Sequence, residues 1–282
     1  MTSYGDTVFI LGGKGMLGSD LAKACEQKGI DIRILDLPEF DITDYQKFEK
    51  KLEKADLIIN CAAYTDVDGA ESNYDLAYKI NAEAVGRLGN FVREHNKRIL
   101  HISTDFVFSG ELDRPYCETD QANPINAYGK TKLAGERLLA KSGGNHCILR
   151  IEWTYGSAGD NFVTKLIKRA KSGDTLKVVD DQIGSPTATT EVAKVICTLL
   201  NHKLQGIFHF ACSGYTSRFE TARFIFDKLS MDVDLLPCKT SNYISIAARP
   251  LNSRFDCSKI VKLLDRPIEH WQGPLEQFLR NI

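Results

Sequence analysis

Tyr128 and Lys132 stand four residues apart in Tyr128-Gly129-Lys130-Thr131-Lys132. On a helix that spacing puts a phenol and an ammonium on one face, one turn apart, while Lys130 points elsewhere. A phenol titrates near about 10, so it is a sluggish acid or base at neutral pH, and a neighbouring cation favours the phenolate and brings it toward the working range. The pair therefore reads as a tuned acid/base couple. Tyr-x-x-x-Lys alone is common on amphipathic helices, and its weight here comes from Ser103-Thr104-Asp105, which closes the apolar run Ile99–Ser103. A hydroxyl on Thr104 then sits at the C-terminal edge of a strand, where ligands of such sheets bind. The rival reading of Thr104 is an N-cap or turn residue.

A second motif precedes these. Gly12-Gly13-Lys14-Gly15-Met16-Leu17-Gly18 follows the apolar run Val8–Leu11 and opens a helical stretch from Leu17, satisfying both G-x-x-G-x-x-G and G-x-G-x-x-G. Glycines let such a turn tighten and bring backbone N–H groups and a helix N-terminus against a pyrophosphate. In a strand–turn–helix context this predicts dinucleotide binding through Gly12, Gly15, Met16, Leu17 and Gly18. Asp36 follows the second strand, where an acidic residue accepts hydrogen bonds from the adenosine ribose; the alternative is a surface loop carboxylate. A carboxylate there repels a 2′-phosphate and favours NADH, whereas Lys14 and Arg33 offer a counter-charge that keeps NADPH open. Asp41 and Ile42 are placed at the adenine edge, and Cys61, Ala62 and Ala63 form a small-residue floor past the third strand; turn and packing roles are the equal alternative.

The elements that must hold these residues read as βαβ units. Val8–Leu11, Ile32–Leu35, Leu57–Asn60, Ile99–Ser103, Cys147–Ile151, Leu176–Val179 and Ile207–Phe210 are short β-rich runs. Leu17–Lys28, Ala77–Arg93, Tyr128–Lys141, Phe162–Lys171, Glu191–Leu200 and Phe219–Leu229 space apolar residues as covering helices do. Gly110–Tyr128 and Asp180–Thr190 are loops joining sheet to site. The expected fold is α/β, a Rossmann-type doubly wound, mainly parallel sheet with a smaller interwoven C-terminal substrate domain. Residues 1–156 and about 188–216 are assigned to the nucleotide-binding domain, and about 157–187 and 217–282 to the substrate domain, whose Pro237, Pro250, Pro267 and Pro274 suit an irregular cap.

Composition excludes several functions. The 282 residues carry 36 Lys+Arg against 37 Asp+Glu, a net charge of −1 with no field to hold a polyanion, so no nucleic-acid partner is expected. The densest basic stretch, Lys47 to Lys54, interleaves Lys with Glu as a solvated helix face does. No apolar run of about 18 residues exists to span a bilayer, and Met1–Asp6 lacks a basic then apolar leader, so no membrane association and a cytoplasmic location are expected. The eight cysteines are scattered without a Cys-x-x-Cys pair and read as reduced, buried hydrophobes. The six histidines show no metal-ligand spacing, and no metal is assigned.

The glycine turn, Asp36, Thr104 and Tyr128/Lys132 resemble the extended short-chain dehydrogenase/reductase superfamily. More narrowly, Asn60 to Asp68, Ser103 to Phe108, Val178 to Thr187 and Arg249 to Ser253 resemble the dTDP-4-dehydrorhamnose reductase family, and these motifs span nearly the whole chain. The resemblance implies reduction of the C4 ketone of a dTDP-linked 6-deoxy-4-ketohexose to dTDP-L-rhamnose by NADH or NADPH. It implies that Tyr128 donates the proton, that Thr104 hydrogen-bonds the same oxygen, and that Lys132 holds the nicotinamide ribose and depresses the phenol's pKa. By the same analogy Val67, Phe106 and Trp153 lie near the sugar, with ordinary core packing the alternative for each. Two departures concern the sugar nucleotide more than the reaction: Ser217-Arg218-Phe219 stands where the family usually presents an aromatic, and Phe106 stands where it often has Tyr. A non-catalytic regulatory subunit of the same fold would not require the intact Thr–Tyr–Lys set. A dehydratase would place an acidic pair after the threonine, but Asp105 is followed by Phe106. A homodimer is a superfamily expectation.

Overall fold

Short runs of β-branched and aromatic residues with no polar alternation form strands buried on both faces, and such strands belong in a parallel sheet covered by helices. Residues 7–173, 175–200, 202 and 205–282 are described in the computed structural model, so the leader reading on Met1–Asp6 lies outside the described residues. Val8–Leu11 (β1), Ile32–Leu35 (β2), Leu57–Asn60 (β3), Arg98–Thr104 (β4), Asn145–Ile151 (β5) and Gly206–Phe210 (β6) form a six-stranded sheet in the order β6-β5-β4-β3-β1-β2. Every pairing in it is parallel. The order reverses between β1 and β3, which opens a crevice at the carboxyl ends of those strands.

Successive side chains of β1 go to opposite faces. Val8 and Ile10 pack with helix α1 (Met16–Gln27) and with Val192, Val195, Ile196 and Leu199 of a late helix. Phe9 and Leu11 pack on the other side with Phe48 and Leu52 of α2 (Tyr45–Leu52), Leu88 and Phe91 of α3 (Ala84–Glu94) and Leu139 of α4 (Ala127–Lys141). The stretch Lys47–Lys54 is indeed largely the solvated side of a helix, anchored by Phe48 and Leu52.

Two expected elements are redrawn. Leu176–Val179 is a strand but lies outside the main sheet; it pairs in parallel with Leu235–Cys238. The run Ala77–Arg93 is not one helix: Tyr74–Tyr78 passes through a π-helical turn at Lys79–Glu83 before α3 begins. Periodicity could not show that turn, because a single wide turn shifts the apolar stripe by only about one position.

A separate apolar cluster is drawn from late segments. Val163 and Leu166 of α5 (Phe162–Ala170), Leu176 and Val178, Ala222, Ile225 and Phe226 of α7 (Arg218–Lys228), and Trp271, Leu275 and Leu279 pack together with Tyr155. Between α5 and α7 in the chain, α6 (Thr189–Leu199) returns to the main sheet and packs on α1, where Cys25 and Cys197 approach to 3.7 Å as free thiols. All eight cysteines are free; four are buried and four are half-buried.

Candidate active site

The glycine turn fits a nucleotide for steric reasons visible in the backbone. Gly12 has φ +73°, and a Cβ there would stand 2.7 Å from the Ala62 amide nitrogen, so only glycine lets β1 end this close to the segment after β3. Helix α1 starts behind Gly15, whose extended backbone caps it without any side-chain hydrogen bond. The first N–H groups of the helix are thus left for an anion.

Asp36 ties the loop after β2 to this turn. Its two carboxylate oxygens accept from the backbone N–H groups of Lys14 and Leu37, each at 2.7 Å. Each oxygen keeps a lone pair for a further donor. Lys14 Nζ reaches the Leu37 carbonyl and Glu39, both at 3.1 Å, and Arg33 lies 5.6 Å over the Phe9 ring.

A cavity of about 800 Å³ runs from the glycine turn across the sheet edge. Gly12, Gly15, Met16, Leu17, Asp36, Asp41, Ile42, Cys61, Ala62 and Ala63 line it, as do Val67, Thr104, Phe106, Tyr128, Lys132 and Trp153. Gly18 does not line it; a Cβ on Gly18 would meet the backbone of Gly12 and Gly13, so this glycine lets α1 seat against the turn.

Helix α4 presents the acid/base pair. Asn126 caps it by accepting from the Gly129 N–H at 2.8 Å while donating to the Ala248 carbonyl at 2.8 Å. Tyr128, Lys132 and Glu136 then recur at every fourth residue on one face. Lys132 is buried, donates to the Ile102 carbonyl at 2.7 Å, and is pulled down to about 8 by burial, with Glu136 acting in the opposite direction. The Tyr128 phenol is pushed up, by burial first and then by the charge of Asp105, with the Thr104 hydroxyl opposing. Burial and the Asp105 charge here outweigh the depression expected from Lys132, which commits one of its three N–H donors to the Ile102 carbonyl, and the phenol keeps its proton at neutral pH. The capping reading of Thr104 is met, and the same residue stands in the cavity wall. Its hydroxyl caps the short turn Asp105–Val107 by accepting from the Phe106 N–H at 3.2 Å, and it also lines the cavity. Phe106 stands edge-on to Tyr128 with ring centroids 5.7 Å apart.

Several residues that support the expected Trp153 and Thr104 escaped sequence reasoning. Trp153 sits at φ +45°, a strained conformation for a bulky side chain that surrounding contacts must hold. Gly184 supplies one such contact, since a Cβ there would stand 2.6 Å from the indole, and the Arg218 guanidinium lies 3.5 Å over the ring. Asp105 accepts from Thr104 at 3.0 Å and from Ser253 at 2.6 Å, so the motif Arg249 to Ser253 reaches the catalytic edge through its last hydroxyl. Glu152 is buried, and burial reinforced by Asp105 holds its carboxyl well above the usual range against the Ser185 and Phe255 backbone N–H groups and the Arg218 charge. The available signals were the Gly184 and Ser253 motifs themselves and the departure at Arg218, but each acquires a role only through contacts remote in sequence.

A doubly wound parallel sheet with a glycine turn at its switch point and a Tyr-x-x-x-Lys helix facing it defines the extended short-chain dehydrogenase/reductase class. Residues 6–282 match the family model described as the RmlD substrate binding domain. A dTDP-4-dehydrorhamnose reductase of Aggregatibacter actinomycetemcomitans is 37% identical over 95% of this chain and 97% of its own length. Two solved structures superpose with a TM-score of 0.93, both covering 98% of this chain and 99% of their own: a dTDP-4-dehydrorhamnose reductase of Clostridium acetobutylicum, 37% identical, and one of Bacillus anthracis in complex with NADP, 34% identical. The chain belongs to the dTDP-4-dehydrorhamnose reductase family.

Proposed function

We propose that this protein reduces the C4 ketone of dTDP-4-dehydro-L-rhamnose to dTDP-L-rhamnose, using NADH or NADPH, in nucleotide-sugar biosynthesis. The observation that carries the reading is a neutral Tyr128 phenol beside Thr104, with Lys132 one turn along the same helix, lining one cavity with the glycine turn. A reduced nicotinamide, when bound, supplies the hydride to the carbonyl carbon. The α1 N-terminus and Gly12 and Gly15 receive the pyrophosphate, Asp36 the adenosine ribose, Asp41 and Ile42 the adenine edge, and Cys61, Ala62 and Ala63 the floor beneath.

Tyr128 donates its proton to the carbonyl oxygen as charge develops there, which its neutral state permits at pH 7. Thr104 shares that oxygen, and Lys132 would hold the nicotinamide ribose through the N–H donors it does not give to the Ile102 carbonyl. With a ribose and an oxyanion near it, the ammonium then stabilises the phenolate that the proton transfer leaves behind. Val67, Phe106 and Trp153 seat the sugar, and the late segments that carry Arg218 and Ser253 serve as the substrate lobe. Two facts support a cytoplasmic site of action: the family's substrate class, and the finding that no helix among the described residues is long and apolar enough to cross a membrane. A homodimer completes the proposal.

The test is loss of reduced-nicotinamide absorbance with a panel of dTDP-, UDP- and GDP-4-ketosugars. Turnover with the dTDP sugar is expected. Cofactor binding with no consumption by any ketosugar would reject the reading in favour of a regulatory or epimerising role.

A further inference from the structure

Arg218 opens α7 beside Trp153, and its guanidinium lies 3.5 Å over the indole and 4.7 Å from the Phe162 ring. Stacking fixes the guanidinium plane and leaves its N–H edge for an acceptor lying in that plane. Among the described residues no such acceptor is present: Arg218 forms no side-chain hydrogen bond and no ion pair. Its acidic neighbours are otherwise engaged. Asp105 receives Thr104 and Ser253, one on each oxygen, and Glu152 is held toward its neutral form by burial.

The other cations near the cavity are committed as well. Lys132 donates to the Ile102 carbonyl, Lys14 pairs with Glu39, and Arg249 clasps Asp68 through both terminal nitrogens at 3.0 and 2.9 Å. Burial pulls Arg218 down only to about 10, so it remains charged at neutral pH. A desolvated, charged guanidinium with an open donor edge in a cavity wall is a ready partner for phosphate oxygens, which it can meet bidentately.

We propose that Arg218 binds the diphosphate of the nucleotide-sugar substrate. The proposal rests on the reading above that the substrate is a nucleotide-linked ketosugar. C1 and C4 lie across the pyranose ring from one another, so a sugar with its C4 carbonyl at Tyr128 and Thr104 extends its anomeric phosphate away from them. Arg218, stacked on Trp153, stands in the wall of that same cavity. The cofactor's own pyrophosphate is assigned to backbone N–H groups at the α1 N-terminus, so it does not require Arg218. Arg218 thereby adds affinity for any nucleoside diphosphate moiety and leaves discrimination between bases to other contacts.

The experiment is calorimetric titration of wild type, Arg218→Met and Arg218→Lys with dTDP and with thymidine, alongside cofactor titration and KM for the ketosugar. Arg218→Met is expected to weaken dTDP at least tenfold, leave thymidine and cofactor binding unchanged, and raise KM more than it lowers kcat. Arg218→Lys is expected to recover part of the dTDP affinity. Equal weakening of dTDP and thymidine would overturn the proposal by assigning Arg218 to holding Trp153, and so would unchanged dTDP binding in Arg218→Met or a wild type that binds no dTDP. An Arg218-dependent dTDP affinity in a chain that reduces no ketosugar would sink the reaction instead and leave the diphosphate site standing.

Discussion

At the glycine-turn end of the cavity the wall is mostly backbone: the uncapped start of α1, the turn from Gly12 to Gly15, and the small residues Cys61 to Ala63 just past β3. At the far end the wall is side chains drawn from distant segments, with Trp153 between Gly184 and Arg218 and Asp105 between Thr104 and Ser253. In the proposed function the first end receives a ligand part that is always the same, a pyrophosphate and its ribose, and rigid backbone suffices for that. In the same proposal the second receives one particular sugar, and side chains held by other side chains are what sequence change can adjust without disturbing the sheet.

Substitutions can break this division, and the largest effect belongs where the ends meet. Tyr128→Phe removes the proton donor and little else, so turnover should fall by about 10²–10⁴-fold with cofactor affinity retained; stopped-flow oxidation of the cofactor measures it, and retained turnover would remove Tyr128 from the chemistry. Gly12→Ala forces a Cβ to within 2.7 Å of a backbone nitrogen at a left-handed φ. Cofactor affinity should drop more than about tenfold, about 1.4 kcal/mol, as read by fluorescence titration. Gly184→Ala pushes on the indole instead, an overpacking worth about 1–3 kcal/mol, and should raise KM for the ketosugar while sparing the cofactor. If both glycine variants weakened both ligands alike, the two ends would not be separate devices.

The smallest effect is one of pH. Lys132 titrates at about 8 in the folded chain against 10.5 ordinarily, so between those values the unfolded chain holds more protons and stability rises with pH. Below about 8 the ammonium is present in both states, this contribution is flat, and the burial cost is carried in full. Lys132→Met should abolish that rise in urea midpoints measured from pH 8 to 10, while eliminating ribose binding. An unchanged slope would place the titration elsewhere.

The same division explains what could be read before the structure was known. The glycine turn, Asp36 and the Tyr128/Lys132 pair are legible because each needs a residue type at a fixed distance from a strand end, and the strands themselves carry unbroken apolar runs. The substrate end was legible only through family resemblance for Val67, Phe106 and Trp153, while the positions that support them stayed silent. Gly184 supports Trp153 across 31 positions of sequence and Ser253 meets Asp105 across 148, separations at which spacing carries no signal. Leu176–Val179 shows the same limit for the fold, since its apolar run announces a strand but not which sheet receives it. The direction of Lys132 is a third case: helix spacing aims it along the Tyr128 face, but one of its N–H groups donates to the nearby Ile102 carbonyl.

The central claim is a net reduction at C4, and isotope tracing tests it most directly. With nicotinamide cofactor deuterated at the transferring position and dTDP-4-dehydro-L-rhamnose as substrate, the account predicts one deuterium bound to C4 of the product sugar for each cofactor oxidised, located by NMR. Deuterium at another carbon, or sugar conversion with no net oxidation of the cofactor, would contradict it.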